Sequence, residues 1–443
     1  MANKYHIMSY GCQMNERDAE TISGMLGQLG YEKTDISKNA DVIIIHTCCV
    51  RESAENKIIG KIGELKHLKT VNPGLIIGIC GCMVQQKDTA KRLVEKAPHI
   101  DLVFGTHNLH QLPELINQVQ LTNNQIIEIW DDEGSIVEDL PAQREGNLKA
   151  YVTITYGCNN YCTYCIVPYV RGKERSRLPE SIVNEIDGLG KEGFKEITLL
   201  GQNVNSYGKD LCDLNINFSG LLQKIDDVTN ITRIRYMTSH PRDFNEELVM
   251  TVKNSKNVCP HFHLPLQAGS NKILKLMNRG YTKEQYLSLI ELIKQEIPHA
   301  SITTDLIVGF PGETEEDFLE TLDAVSEARF DQAYTFLYSK RSGTPAATME
   351  NQVDDENKKA RLQRLMDLQN KISLEINKEL VNRSLSVLVE GPSKNNPSQL
   401  TGRTTTNKIV VFEGDDTLVG KLVDVKIEEA RTWNLTGKLI KVY

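Results

Sequence analysis

No apolar run in the 443 residues approaches the roughly 20 needed to cross a bilayer. The longest, such as Asp41–Ile45 and Leu75–Ile79, are strand-length, so a membrane-spanning chain is not expected. The first residues, MANKYHIMSYGCQMN, lack the basic start and apolar core of a signal peptide, and a soluble, cytoplasmic protein is expected. Glycine and proline are not enriched, at 30 and 14, and the hydrophobic fraction is 40%, which excludes collagenous and disordered classes. Surplus positive charge is also missing. The net charge of −8 argues against a general nucleic-acid coat, although a local basic channel depends on the field at the site and not on the sum. The chain is too long and too sparse in cysteine for a secreted disulfide scaffold. Its ten cysteines, at 12, 48, 49, 80, 82, 158, 162, 165, 212 and 259, therefore read as reduced and metal-binding.

The length implies two or three domains. Strand-like Lys4–Ser9, Asp41–His46, Leu75–Cys80 and Leu102–Phe104 alternate with helical patterns at Arg17–Leu29, Glu52–His67 and Lys87–Glu95. That alternation predicts a parallel β/α domain over 1–140. The acidic tract Trp130–Gly146 reads as a linker. A second series follows over 146–375, with strands predicted at Ala150–Thr155, Glu196–Leu200, Ile231–Tyr236, Phe262–Leu264, Ile302–Ile307 and Gln332–Phe336. Six repeats are too few for a closed eight-stranded barrel and fit an open (β/α)6 partial barrel, with chemistry expected just after the strand C-termini. Asp354–Leu380 reads as one long charged helix. Over 376–443, Ser386–Glu390, Gln399–Arg403, Ile409–Phe412, Lys421–Glu428 and Leu435–Lys441 predict a small all-β barrel. Residues 371–443 carry 11 Lys plus Arg against 9 Asp plus Glu, a modest contrast with the acidic remainder. A small barrel of this kind suits either an ordinary solvated module or nucleic-acid binding.

Cys158-Asn-Asn-Tyr-Cys162-Thr-Tyr-Cys165 places three thiols on one loop after the first barrel strand, with Gly157 at the turn. Three thiolates can hold three irons of a cubane and leave the fourth open to a small molecule. Structural zinc would ordinarily need a fourth Cys or His. A ferredoxin-type cluster would need a remote cysteine such as Cys212 or Cys259. Cys12, Cys48 and Cys82 each closely follow a predicted strand of the N-terminal domain. Loops at one edge of a parallel sheet converge, so these three could form a second site; on the residues alone that support is weak, and isolated buried cysteines are the commoner reading.

The C-x3-C-x2-C loop resembles the radical S-adenosylmethionine superfamily. The resemblance implies a 4Fe–4S cluster on Cys158, Cys162 and Cys165, as the catalytic residues, with S-adenosyl-L-methionine chelated at the open iron and cleaved to a 5′-deoxyadenosyl radical. Tyr10-Gly-Cys12-Gln-Met-Asn15, Thr47-Cys48-Cys-Val-Arg-Glu52 and Gly81-Cys82-Met-Val-Gln85 resemble the three N-terminal cysteine motifs of the methylthiotransferase family, over all three domains. That implies an auxiliary iron–sulfur cluster on Cys12, Cys48 and Cys82, with Cys49 and Cys80 beside the ligands. His46 stands where the family usually has Asn and could tune the cluster from behind. Gly-Cys-Gln-Met-Asn, with the run from Cys158 through Arg171, resembles the MiaB-type branch. It acts on N6-isopentenyladenosine at position 37 of tRNA, using two S-adenosylmethionine molecules. Sister branches act on threonylcarbamoyladenosine-37 or on a ribosomal-protein aspartate.

Polar residues at the other strand ends are candidates for holding the cofactor: Gln202, Asn203, Ser239, Gln267, Asp305 and Gly309, within Gly201-Gln-Asn-Val-Asn205, Thr238-Ser-His240, His263–Ser270 and Thr304–Glu313. Arg171, Arg175, Arg177, Arg279 and Arg341 are candidates for phosphate or carboxylate contacts. The last module resembles a TRAM domain, an RNA-binding barrel, and Arg403, Lys408, Arg431 and Trp433 are its candidate contacts. The resemblance also implies a tRNA anticodon loop as partner, a reducing donor such as flavodoxin or ferredoxin, and a sulfur donor. A monomer is expected.

Overall fold

The computed structural model describes residues 3–48, 52–228 and 230–443; Cys49 lies outside them. The first region has strands β1 (Lys4–Ser9), β2 (Glu32–Lys33), β3 (Val42–Thr47), β4 (Ile76–Gly81), β5 (Leu102–Phe104) and β6 (Ile126–Glu128). Helices α1 (Gln13–Gln28), α2 (Glu52–Val71), α3 (Lys87–Lys96) and α4 (Leu112–Thr122) connect most of them. The strands pair in parallel in the order β2-β1-β3-β4-β5-β6. β3 and β4 are buried at every position, as strands covered by helices on both faces must be. Three elements go beyond the sequence reading, the first being the two-residue edge strand β2. Leu112, Leu115, Ile116 and Val119 bury one face of α4 at helical spacing, and the short edge strand β6 follows. Residues 130–146 form no helix or strand, as a linker would.

The central region runs through β7 (Lys149–Thr153), β8 (Thr155–Tyr156), α5 (Val167–Arg171), β9 (Arg175–Ser176), α6 (Pro179–Glu192), β10 (Glu196–Leu200), α7 (Phe218–Val228) and β11 (Arg233–Tyr236). It continues with α8 (Glu246–Asn254), β12 (His261–His263), α9 (Asn271–Leu276), α10 (Lys283–Glu296), β13 (Ser301–Val308), α11 (Glu315–Ala328), β14 (Gln332–Leu337) and α12 (Asp355–Lys378). The parallel trios β7-β10-β11 and β12-β13-β14 are joined by a parallel bridge between Ile234 and Val258. This is the open six-stranded partial barrel expected, with one apolar core shared by its strands and outer helices. Two details differ. The first predicted strand breaks after Thr153, and β8 pairs antiparallel with β9, so the three-cysteine loop hangs from a small hairpin. Between β12 and β13 the chain forms two helices, α9 and α10, the second opened by a Thr282/Gln285 capping box.

The last region is a closed barrel, β15 (Ser384–Pro392), β16 (Gln399–Thr404), β17 (Ile409–Glu413), β18 (Leu422–Ala430) and β19 (Leu435–Val442), in the order β15-β16-β17-β19-β18. It docks on the N-terminal ends of the central strands. Arg235 Nη2 and Nη1 donate to the Thr404 and Thr405 carbonyls at 2.7 and 3.0 Å, and Arg233 Nη1 to the Arg403 carbonyl at 2.5 Å. Lys149 pairs with Glu390. Lys149, Glu196 and Arg233 are the first residues of their strands, so this barrel caps the end opposite the cysteine loop.

Candidate active site

β1, β3 and β4 are neighbours in the first sheet, and Cys12, Cys48 and Cys82 sit just past their C-terminal ends. Adjacency in the sheet closes the sequence gaps between them. Gly11, at φ +139°, lets the first loop lie on the second; a Cβ there would stand 2.7 Å from Cys48 Cβ. Asn15 Nδ2 then ties the loops together, donating to the Tyr10 and Thr47 carbonyls at 2.9 Å each. Cys48 and Cys82 are buried and Cys12 is exposed. Cys80, behind them inside β4, is fully buried, and burial pushes its thiol well above the ordinary range. His46 is buried too. Burial brings its imidazole down to about 4 against the pull of Asp18, so it is neutral near pH 7.

The second cysteine triplet is held in advance. Thr163 donates to Met277 O from its amide and to Leu276 O from its hydroxyl. Asn278 Nδ2 donates to the Asn160 and Tyr161 carbonyls, and Ala346 N to Thr163 O. Burial raises the Cys158 thiol to about 11 and the Cys165 thiol to about 12, with the neighbouring Cys162 adding to both. Loading such thiols with iron must release their protons. Among the described residues no three His, Cys, Asp or Glu side chains converge on a single metal-ion position. A cubane spreads its thiolates over separate irons, so its ligands need not do so.

Each triplet has one buried arginine at a sulfur. Arg279 Nη1 donates to Cys162 Sγ at 3.3 Å and its Nη2 to Pro265 O at 2.9 Å. Arg171, at the end of α5, donates from Nε to Cys82 Sγ at 3.3 Å and from Nη2 to Asp18 Oδ2 at 2.8 Å. Ile166 and Val170 of the same segment are part of the first region's core. The chain leaving Cys165 therefore plugs directly into the other cysteine site. Arginines offset the charge of thiolates in a low-dielectric site and fit them as iron–sulfur ligands.

Beyond the loop, several buried polar atoms at the strand C-termini find no hydrogen-bond partner among the described residues: Thr155 Oγ1, Gln202 Oε1, both amide atoms of Asn205, Ser239 Oγ, His240 Nε2 and Gln267 Oε1. Unsatisfied buried groups are rare and call for an explanation. Thr238 and Gln267, at φ +70° and +72°, are also held in the left-handed region that non-glycine residues avoid. His240 is held down to about 2 by burial and by Arg279, and its Nδ1 accepts from Arg242 N at 3.2 Å. The neutral ring then carries its proton on the unpartnered Nε2, which is a free donor. Acceptors and donors of this kind fit the amino, carboxylate and hydroxyl groups of S-adenosylmethionine.

Three of the six cofactor candidates, Gln202, Ser239 and Gln267, thus carry unpartnered atoms. The others do different things here. Asn203 is satisfied on both sides, donating to Asp243 Oδ2 at 2.7 Å and accepting from His240 N at 3.1 Å. Asp305 lies 3.6 Å from His263 Nε2. A Cβ on Gly309 would meet Lys358 Cγ at 2.3 Å, so its close approach is to α12. Thr155 and Tyr338 also carry unpartnered hydroxyls, and nothing in their spacing marks them in the sequence. Arg177 spends its guanidinium on Glu138 and Glu185 at 2.6 and 2.7 Å, and Arg175 on the Glu133 and Gly134 carbonyls. In the last barrel, Lys408 is paired with Asp331 at 2.5 Å and Arg403 with Glu390 at 3.2 Å, both turned toward the central region. Arg431 is exposed beside Glu429, and Trp433 is 57% exposed.

Family models match the three regions separately: the uncharacterized protein family UPF0004 over residues 4–105, the radical SAM superfamily over 152–325 and the TRAM domain over 378–440. Among solved structures, the fold is similar to the radical S-adenosylmethionine methyltransferase TsrM from Kitasatospora setae, with a TM-score of 0.58 at 15% identity over 78% of this chain and 77% of that one. At that identity the likeness speaks to the fold. The closer likeness lies among curated sequences. A tRNA-2-methylthio-N(6)-dimethylallyladenosine synthase of Desulforamulus reducens is 58% identical over 98% of this chain and 95% of its own length. One of Carboxydothermus hydrogenoformans is 55% identical over 99% and 100%. Identity at this level over nearly the whole length of both chains places the chain in the tRNA-2-methylthio-N(6)-dimethylallyladenosine synthase family of radical S-adenosylmethionine enzymes.

Proposed function

We propose that this chain is a tRNA methylthiotransferase that converts N6-isopentenyladenosine at position 37 to its 2-methylthio derivative, consuming two S-adenosylmethionine molecules. The observation that carries the reading is the pair of cysteine triplets joined through Arg171, in a chain 58% identical to such a synthase. C2–H of adenine is not acidic enough for ordinary base catalysis. Iron–sulfur and S-adenosylmethionine chemistry, when those groups are bound, supplies a carbon radical able to abstract that hydrogen and a sulfur to replace it.

The chain's residues divide the work. Cys158, Cys162 and Cys165 hold the reducing cluster. Cys12, Cys48 and Cys82 hold a second, auxiliary one. Gln202, Ser239 and Gln267, with Asn205 and the His240 Nε2–H, grip the sulfonium cofactor, while Asn203, Asp305 and Gly309 shape the same strand ends. Arg431 and Trp433 contact RNA directly, and Arg403 and Lys408 hold the barrel that presents them. The working domains are 1–140, 146–375 and 376–443. The protein acts as a cytoplasmic monomer with an external electron donor and sulfur donor. Among the described residues no helix is long and apolar enough to cross a membrane. Position 37 lies in a single-stranded loop, so little pairing is lost when the base enters a pocket.

Mass spectrometry of tRNA nucleosides from a deletion strain tests the substrate. The methylthio-isopentenyl nucleoside should disappear and return with the wild-type chain. Loss of methylthio-threonylcarbamoyladenosine, or of the modified ribosomal aspartate, would move the function to a sister branch.

A further inference from the structure

A cleft of about 520 Å³ lies beside both cysteine sites, between α2 and α3 on one side and the segment after β14 on the other. Its floor includes Met83, next to Cys82, and Ile166, next to Cys165. Lys66, Arg92, Lys96, Lys340 and Arg341 line it, and among the described residues no carboxylate does. Lys66, Arg92, Lys96 and Lys340 are exposed, and among the described residues none of these four is in an ion pair. In a chain of net charge −8, such a concentration of one sign is a local field that attracts an anion.

The final barrel makes the case sharper. It caps the N-terminal ends of the strands, and its Lys408 and Arg403 are held by Asp331 and Glu390. A strand of five or six residues separates that end from the thiols by roughly 17–20 Å. An RNA held at the small barrel still needs cations on the cysteine side to bring its loop there. The cleft supplies them, opening at the C-terminal end of β14, where Lys340 and Arg341 follow Leu337. Its concave, nucleotide-scale shape suits a phosphodiester strand better than the flatter face of a docked protein.

We propose that this cleft seats the phosphates flanking the target nucleotide of the RNA substrate. The inference rests on the RNA-modifying reading above. It assigns that RNA a second point of attachment, remote from the final barrel.

The test is binding of an RNA hairpin with isopentenyladenosine in its loop to the iron-loaded protein, measured over a range of salt. Comparison is with the surface variant Lys66→Gln/Arg92→Gln/Lys340→Gln, and with Lys224→Gln on an outer helix as control. Removing one cation from a phosphate lowers the slope of log affinity against log salt by roughly 0.7–0.9, so the triple variant should drop by about two units of slope. Deoxyadenosine formation with dithionite and no RNA should be unchanged. Unaltered affinity and slope would overturn the proposal. So would intact RNA binding with slowed reduction by an acidic protein donor, since that assigns the cleft to the reductant. If the wild type binds the hairpin but never methylthiolates it, the functional reading fails while the slope still decides the cleft.

Discussion

Arg171 Nε donates to Cys82 Sγ at 3.3 Å across 89 residues of sequence. The arginine stands on the helix that directly follows the Cys158–Cys165 loop, so one short segment touches both cysteine sites. Its Nη2 also holds Asn15 at 3.1 Å and Asp18 at 2.8 Å. Burial opposes the guanidinium's charge, and Asp18, Cys82 and Cys12 more than restore it.

Arg171→Gln should therefore damage the N-terminal site selectively. Asp18 loses its cation, and breaking a buried pair costs about 3–5 kcal/mol. Anaerobically purified variant should carry about half the wild-type iron and sulfide, with the reducing cluster's signal retained. A Cys158/Cys162/Cys165→Ala variant should lose the complementary half. A full iron complement in Arg171→Gln would show that the arginine does not support the cluster.

Ser239→Ala and Gln202→Ala remove atoms that have no protein partner among the described residues. Without cofactor, neither change should lower the thermal midpoint. With cofactor, each should weaken S-adenosylmethionine binding roughly 3- to 10-fold, the net value of one hydrogen bond. Calorimetric titration separates the two effects. A variant that is less stable yet binds with wild-type affinity would place its side chain in the framework.

Arg235 is buried between Glu196 and the Thr404 and Thr405 carbonyls. Arg235→Met should leave Glu196 short of a counter-charge and release the final barrel from the central strands. Limited proteolysis should then cut within α12 or just after it and liberate a fragment near 376–443, at protease levels that spare the wild type. Equal resistance of the two proteins would mean that the remaining contacts suffice.

Asp317 gives the acid dependence. Burial pushes its carboxyl up, but Lys272, the Thr314 amide and the Ser270 hydroxyl outweigh this and hold it down to about 2. A depressed carboxyl stabilises the fold fully above its ordinary value near 3.8 and loses that contribution as pH falls through about 2. The thermal midpoint of wild type should exceed that of Asp317→Asn above pH 4, and the gap should close toward pH 2. A gap independent of pH would assign the effect to the amide's geometry.

Much of this architecture was legible because it is local. The buried isoleucines of β3 and the alternation of strand and helix announce a parallel sheet, and the six strands of the central series recur at readable intervals. α4 carries a helical period in Leu112, Leu115, Ile116 and Val119 that the sequence reading does not include; the edge strand after it, part exposed, gives no comparable pattern. Gln202, Ser239 and Gln267 could be nominated from their strand-end positions. Asn203 occupies the same kind of position and yet satisfies itself on Asp243 and His240, and only the folded chain distinguishes a spent amide from a waiting one.

The sequence by itself determined the Cys158–Cys162–Cys165 loop, because three ligands within eight residues are held together by the chain. It could only suggest that Cys12, Cys48 and Cys82 meet. The tertiary structure decided that by making β1, β3 and β4 neighbours, since hydrogen-bonded strands lie about 4.8 Å apart whatever their separation in sequence. It also decided which cations are available: Lys408 is folded against Asp331, Arg171 is drawn onto a sulfur, and Lys66 and Arg92 are left at the cleft. Charge and composition are properties of the chain. Which charge is neutralised by which neighbour is a property of packing, because a partner a few ångströms away can come from anywhere along it.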